Sequence, residues 1–357
     1  MLSIVVVAAL LGFGLPQLAS YQAVWVDLGT MPWPRTILVA CAGVANLVAS
    51  WVMIVTLLPS LRLRQAAVLN LGPTAAANTL PAGEAVALGI SWAMLSSWGI
   101  STKQYVLYTL LSGAFNTGAK LSLPIVALAV LALAGESNTG LTVAAVTGLA
   151  LLFLGATALF TALHTDTSRA QHHLQRLLTI ALRRMHRPAS WQLGPVLADF
   201  HQQTRALLAA RGVRILLATA TAHLSMALVL LTCLYASGVT QAQVPWPTAL
   251  AAFAFARLLS ALPITPGGLG VVELSLTGFL AIGLDGPTIT KVTAAVLLFR
   301  AITYLLPIPL GAAAYLTWRS QARNGTEQRP RPTPDLPDAD GTGPAAMRTT
   351  MESRDEC

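Results

Sequence analysis

The sequence predicts an all-α, polytopic membrane protein with about seven to eight transmembrane helices, plus broken or re-entrant half-helices. Of its 357 residues, 55% are hydrophobic and only 10% are charged, whereas about a quarter of a soluble domain is charged. Several apolar runs reach the length of about 20 residues that a helix needs to cross a hydrocarbon core. Other apolar stretches are interrupted by proline and glycine, which predicts half-helices.

Composition also excludes several classes of protein. A soluble enzyme and a nucleic-acid-binding domain do not fit the low fraction of charged residues. A secreted disulfide scaffold does not fit either, since Cys41 and Cys233 lie in apolar segments and Cys357 is the last residue. The histidines show no spacing typical of metal ligands, so we predict neither a metal nor a cofactor. The net charge is +8, and it belongs to residues 1–318, which contain sixteen basic and seven acidic residues.

Full spans are predicted where the apolar runs are continuous. The segment 2–19 is short and lacks the basic start of a signal peptide, so we expect a retained first span. The clear candidates are 36–58, 104–134, 141–163, 213–237 and 289–318.

Half-helices are predicted in two places. Residues 66–89 are apolar but contain Gly72, Pro73 and a proline-glycine pair further on. Segments 248–262 and 271–284 each reach about 22 Å, too short for a crossing. Irregular backbone at membrane depth occurs where protein or a water-filled cavity surrounds it, so both breaks indicate a substrate site. The residues that define the two breaks are Pro81, Gly83, Pro266, Gly267, Gly268 and Gly270.

Arginine placement predicts the orientation. Residues 164–214 contain eight arginines and two aspartates, which under the positive-inside rule makes this loop cytoplasmic. Arg62, Arg64, Arg319 and Arg323 mark two more cytoplasmic segments. We therefore expect a multi-pass protein of the plasma membrane with both termini cytoplasmic.

These features divide the chain into four regions. The predicted divisions are a first membrane half at 1–163, a basic cytoplasmic linker with an amphipathic helix at 164–212, a second membrane half at 213–318 and a disordered cytoplasmic tail at 319–357.

Five charged residues remain in apolar surroundings and form the candidate substrate-binding set. An ionisable side chain at membrane depth costs roughly 2.5 to 3.5 kcal/mol, so such residues usually pair with one another or line a pathway. The alternatives of internal salt bridging and substrate contact both stay open, as does a purely structural role for the glutamates at helix N-termini. The five residues are Glu84, Lys120, Arg257, Glu273 and Arg300.

The two breaks also resemble each other. In both, a span running inward precedes a proline-glycine break, a glutamate follows, and two further membrane segments return to the cytoplasmic side. This order suggests an internal duplication.

The motifs around the breaks resemble a known family. The run PITPGGLGVVE at 263–273, preceded by Arg257 and followed by AAVLLFRAITYLLPIPLG at 294–311, is similar to the lysylphosphatidylglycerol synthase transmembrane-region family, whose members are flippase-like integral membrane proteins. The run NTLPAGEAVALG at 78–89, followed by LSSWGIS from Leu95, looks like the first signature of that family. The resemblance implies an all-helical protein that moves or presents polar lipids.

The function expected from this resemblance is a flippase-like transporter of an aminoacylated phospholipid or a polyprenyl-linked glycolipid. The resemblance implies that the synthase members make the lipid with an additional large soluble domain. The 39 residues after Trp318 are too few and too polar for such a domain, so we expect no synthesis of lysyl-lipid by this chain alone and assign no catalytic residue. Because no nucleotide-binding loop is present, uphill transport would need an ion gradient or a partner.

Two alternatives remain at this stage. A membrane-embedded glycosyltransferase usually shows acidic pairs, whereas Asp27, Glu136 and Asp285 stand alone in their loops. The other alternative is a membrane anchor for a separate glycosyltransferase or lipid synthase. The expected partners are membrane lipids, and the sequence leaves the oligomeric state open.

Overall fold

All secondary structure described in the computed structural model of the chain is helical. The structure describes residues 31–80, 83–135, 193–260 and 268–327, together with Val26, Gly29, Thr265 and six positions between 143 and 154. The helices are α1 (Trp33–Leu57), α2 (Leu63–Thr79), α3 (Gly83–Ser97), α4 (Thr102–Leu133), α5 (Leu193–Ala236), α6 (Trp246–Leu259), α7 (Val271–Leu280), α8 (Gly286–Arg300) and α9 (Pro307–Glu327), with a π-helical turn, Ala301–Leu305, between α8 and α9.

Four helical stretches of the described chain are long and apolar enough to cross a membrane, and two shorter ones are apolar. The all-α, polytopic prediction is therefore confirmed. The four long stretches are Trp33–Leu57, Thr102–Leu133, Gln202–Ala236 and Gly286–Ala322. The predicted first span, the amphipathic helix of the linker and the tail beyond residue 327 lie outside the described residues, as does most of the predicted span at 141–163.

The first broken segment differs in one respect from the prediction. We expected interruptions at Gly72 and Pro73, but α2 runs without interruption from Leu63 to Thr79, with both residues buried inside it. A proline within a helix removes one hydrogen bond without ending the helix when packing holds the rest. Here the packing is close, because a Cβ added to Gly311 of α9 would meet the carbonyl oxygen of Leu71. The break therefore falls only after Thr79.

α2 and α3 form a helical hairpin whose two outer ends lie together. Ala66 near the start of α2 and Leu95 near the end of α3 belong to one buried cluster, against which Trp318 of α9 packs. The Trp318 indole Nε1 donates to Ser97 Oγ at 2.9 Å. We call this side of the bundle the Arg62 end.

The opposite side of the bundle, the Arg35 end, is fixed by two other contacts. Arg35 at the start of α1 donates to the carbonyl oxygen of Ala236 at the end of α5, at 3.3 Å. Gln243, just before α6, donates to Thr288 in the first turn of α8 at 3.0 Å. α7 ends six residues before α8 begins, so α6 and α7 form a second hairpin that enters from the Arg35 end.

The two hairpins therefore enter the bundle from opposite ends. α5 runs between these ends, since Lys103 at the start of α4 donates to Asp199 in the first turns of α5 at 2.9 Å. The order span, half-helix, break, half-helix, span occurs in α1 to α4 and again in α5 to α9, where α8 and α9 together form the last span, but upside down. This order has the inverted form common among transporter repeats, instead of the common direction that the sequence suggested.

Candidate functional site

Four of the five candidate charged residues line one cavity of about 200 Å³ in the middle of the bundle. Glu84 comes from α3, Lys120 from α4, Arg257 from α6 and Arg300 from the end of α8. Thr74, Asn78, Ser260, Thr303 and Tyr304 add polar groups to its wall. Residues on both sides of each break line this cavity, Asn78 and Glu84 at the first and Ser260 and Val272 at the second, as expected for irregular backbone at membrane depth.

The fifth candidate, Glu273, lies just behind this wall and binds one of the arginines. Arg300 Nε donates to Glu273 Oε1 at 2.6 Å, and the two residues are only 8% and 2% exposed. Sequence reasoning left internal pairing and ligand contact open, and the structure shows the pairing for these two residues. The second carboxylate oxygen, Oε2, is buried and makes no hydrogen bond with the described part of the chain.

Both glutamates occupy the first turn of the helix that follows a break. Glu84 is the second residue of α3, and Glu273 is the third residue of α7. The unpaired amide groups at a helix N-terminus favour negative charge there. Their surroundings differ, because Glu84 is exposed at the mouth of the cavity and forms no ion pair within the described residues.

Arg257 and Lys120 give the cavity an excess of positive charge. The Arg257 Nε is buried and finds no hydrogen-bond partner among the described residues. Arg257 acts electrostatically on Lys120, as does Glu84 with opposite sign. Because Arg300 is neutralised by Glu273, two cations remain against one carboxylate, and the space between them suits an anionic group.

A second set of contacts joins the two breaks. The Arg300 guanidinium stacks on the Tyr304 ring, with its carbon 4.6 Å from the ring centre. Tyr304 OH donates to the carbonyl oxygen of Asn78 at 2.7 Å, and Asn78 Nδ2 donates back to the Tyr304 carbonyl at 3.2 Å. Sequence reasoning missed Asn78 and Tyr304 as site residues. The available signal was an aromatic residue one helical turn after Arg300 and an asparagine three residues before Pro81.

The glycines at the two breaks serve different purposes. A Cβ added to Gly83 would meet the carbonyl oxygens of Ala76 and Ala77, so this position needs the closest possible approach of two chain segments. Gly268 and Gly270 instead adopt positive φ, +69° and +79°, which side chains of L-residues disfavour. The predicted motif residues Pro81, Pro266 and Gly267 lie outside the described residues.

Comparison with known proteins agrees with this architecture. The model of the family described as "Lysylphosphatidylglycerol synthase TM region" matches residues 1–311. The chain belongs to this family. No curated protein matches it.

The residues matched by the lysylphosphatidylglycerol synthase transmembrane-region family include all the helices that form the cavity. Together with the apolar helices, it indicates a multi-pass membrane protein involved in lipid handling. The family resemblance seen in the motifs around Glu84 and Glu273 is thereby confirmed.

Proposed function

We propose that this protein moves a polar, phosphate-bearing lipid across the plasma membrane by accepting its headgroup in the cavity. The observation that supports this most directly is the buried Nε of Arg257, which has no partner among the described residues and lies beside a cavity that Lys120 also lines. A buried polar group without a partner is costly, and a phosphate oxygen is a suitable acceptor for it.

The proposed substrate is an aminoacylated phospholipid or a polyprenyl-linked glycolipid, both of which have a phosphate. For the aminoacylated lipid, Glu84 at the mouth of the cavity would attract the cationic part of the headgroup. The cavity of about 200 Å³ has room for the phosphate group, while the acyl chains stay in the bilayer. Entry between α3 and α4 is favoured, since α3 packs mainly on α2 and contacts α4 lightly.

The proposed orientation places the Arg62 end in the cytoplasm. Basic residues gather at this end and at the start of α5, which fits the positive-inside rule. In a cysteine-free background, an impermeant thiol reagent added to intact cells should label Ala242→Cys and leave Arg64→Cys unlabelled. Labelling of Arg64→Cys alone would show that the protein has the opposite orientation.

Reconstitution of the purified protein into vesicles tests the transport proposal. Vesicles containing fluorescent phosphatidylglycerol, lysyl-phosphatidylglycerol or a polyprenyl-linked glycolipid are treated with an outside quencher, and the rate at which inner-leaflet label becomes accessible is measured. Arg257→Gln should lower the rate roughly 10- to 100-fold, because a hydrogen bond to a charged group contributes about 1.5 to 3 kcal/mol.

Lys120→Gln and Lys103→Gln form a matched pair on α4. Both remove one lysine charge, but only Lys120 lines the cavity, whereas Lys103 is an exposed residue bonded to Asp199. We expect a reduced rate for the first and an unchanged rate for the second. Equal rates in both variants and in the wild-type protein would contradict a role for the cavity charges.

The same vesicles distinguish the alternative of a membrane anchor for a separate glycosyltransferase or lipid synthase. An anchor would move no lipid when purified alone, and the enzyme would copurify with it from mild detergent. Neither the transporter nor the anchor function requires a catalytic residue in this chain.

A further inference from the structure

His223 in the middle of α5 is a buried titratable residue without an evident structural partner. The residue is 6% exposed, and its Nδ1 is buried without a hydrogen bond to the described part of the chain. Met226, three positions later and hence on the same face of α5, lines the cavity. The imidazole therefore lies next to the headgroup cavity on a wall that contributes no other titratable group to it.

Two cations of the cavity act on this imidazole. Arg257 of α6 and Lys120 of α4 both exert an electrostatic effect on His223, so each repels a proton on the ring. The strength of this repulsion is high in a region of low dielectric constant. His223 is thus sensitive to whatever neutralises these two side chains.

Among the described residues, the other helices packed against α5 add no free acid near this position. α1 has a single charged residue, Arg35, at its far end, and presents Asn46, which bonds Ala222 and Ser225 on the neighbouring turns. α8 contributes Arg300, whose charge is compensated by Glu273, and Lys291 near the Arg35 end. Burial itself disfavours the charged ring, so what a bound anion can change at His223 is the repulsion from Lys120 and Arg257.

We infer that His223 is a proton-binding site coupled to the cavity, and that it takes up a proton when a phosphate-bearing headgroup lies between Lys120 and Arg257. The bound anion cancels the repulsion from the two cations, so the imidazole nitrogen accepts a proton from water and becomes imidazolium. By linkage, a proton on His223 favours anion binding by the same factor.

This inference rests on the proposed function and adds an energy source to it. A headgroup that binds together with a proton presents less net charge to the low-dielectric interior, which lowers the cost of its passage. Movement of phosphate-bearing lipid would then follow the proton gradient across the membrane. This coupling would provide the ion gradient that uphill transport needs in the absence of a nucleotide-binding loop.

Calorimetry on the full-length protein in detergent measures the proposed uptake directly. Dioctanoyl phosphatidylglycerol is titrated at about pH 6.5, near the ordinary pKa of histidine, in two buffers with different ionisation enthalpies. The difference in heat gives the number of protons bound per lipid. We expect an uptake of up to about half a proton for the wild-type protein, because half of an imidazole with the ordinary pKa is protonated at this pH, and none for His223→Gln, which retains a polar side chain that does not titrate.

Two further variants keep the test decisive. Thr221→Val alters a polar residue of α5 that lines an apolar groove against α1 instead of the cavity, and it should take up protons as the wild-type protein does. Lys120→Gln removes one repelling cation, so the pH of half-maximal uptake should rise. If His223→Gln fails to fold, the pH of half-maximal uptake in Lys120→Gln still tests the role of His223.

The outcomes separate the two proposals. Lipid binding and vesicle transport without proton uptake, or the same uptake in His223→Gln, would overturn the role of His223 and leave the proposed function in place. The absence of both binding and transport would overturn both proposals.

Discussion

The two breaks share a sequence pattern but have opposite environments. Glu84 follows the first break and is exposed at the mouth of the cavity, whereas Glu273 follows the second break, is 2% exposed and binds Arg300. The same residue type in the first turn of a helix thus serves two purposes. At the first break the carboxylate is available to a ligand, and at the second it compensates a buried cation.

The cores around the two breaks explain this difference. The hairpin of α6 and α7 packs against α5 and α8 through a large cluster that includes Phe253, Leu276 and Phe299. α3 has few buried residues and packs mainly on α2. The helices that flank the second break are therefore enclosed by other helices, whereas α3, which follows the first break, forms an accessible wall of the cavity.

The largest effect expected from this comparison is on stability at the second break. Arg300→Gln or Glu273→Gln leaves one charge buried without its partner, which should lower the free energy of unfolding by about 3 to 5 kcal/mol. The double variant should lose much less. A double-mutant cycle measured by thermal unfolding in detergent checks this, and additive losses would contradict the coupling.

An intermediate effect is expected from the glycines of the first break. Gly83→Ala places a Cβ against the carbonyl oxygens of Ala76 and Ala77, and such overpacking costs typically 1 to 3 kcal/mol, with about that loss expected here. Gly89→Ala in the same helix meets nothing within 4 Å. It should be neutral or stabilising by up to about 1 kcal/mol. The comparison of the two melting temperatures isolates the close approach from helix propensity.

A smaller stability effect, with a clear transport defect, is expected at Glu84. Glu84→Gln removes only the favourable interaction with the N-terminus of α3, which contributes about 0.3 to 1 kcal/mol. Unfolding should therefore change little, while the vesicle transport rate of a lipid with a cationic headgroup falls. An unfolding defect as large as that of Glu273→Gln would show that both breaks are structural in the same way.

The smallest effect is expected at the exposed ion pair of the Arg62 end. Hydrogen bonds from Lys103 and Gln203 lower the pKa of Asp199 below its ordinary value of 3.8. A lowered carboxylate pKa stabilises the folded state above about pH 3.8 and loses this contribution as the pH falls through the folded value. Asp199→Asn should thus melt slightly below the wild-type protein at neutral pH and converge with it in acid. A difference that grows in acid would contradict this sign.

Much of the site was predictable because charges are scarce in a membrane sequence. Few ionisable residues lie in apolar surroundings, and placing one at membrane depth costs free energy. Glu84, Lys120, Arg257 and Arg300 could therefore be identified from the sequence. Asn78 and Tyr304 were missed, because neutral polar residues are common in membrane helices and their pairing joins positions 226 residues apart. Nothing in the local sequence indicates a contact at that separation.

The sequence by itself determined the helical class, the positions of four long apolar spans and the two breaks, since hydrophobic length and proline-glycine interruptions act locally. It did not determine that α2 continues through Pro73, that the hairpins enter from opposite ends, or which arginine binds Glu273. Those features depend on contacts between helices far apart in the chain. In a membrane, close packing and internal hydrogen bonding decide such contacts, and only the assembled bundle brings the partners within reach.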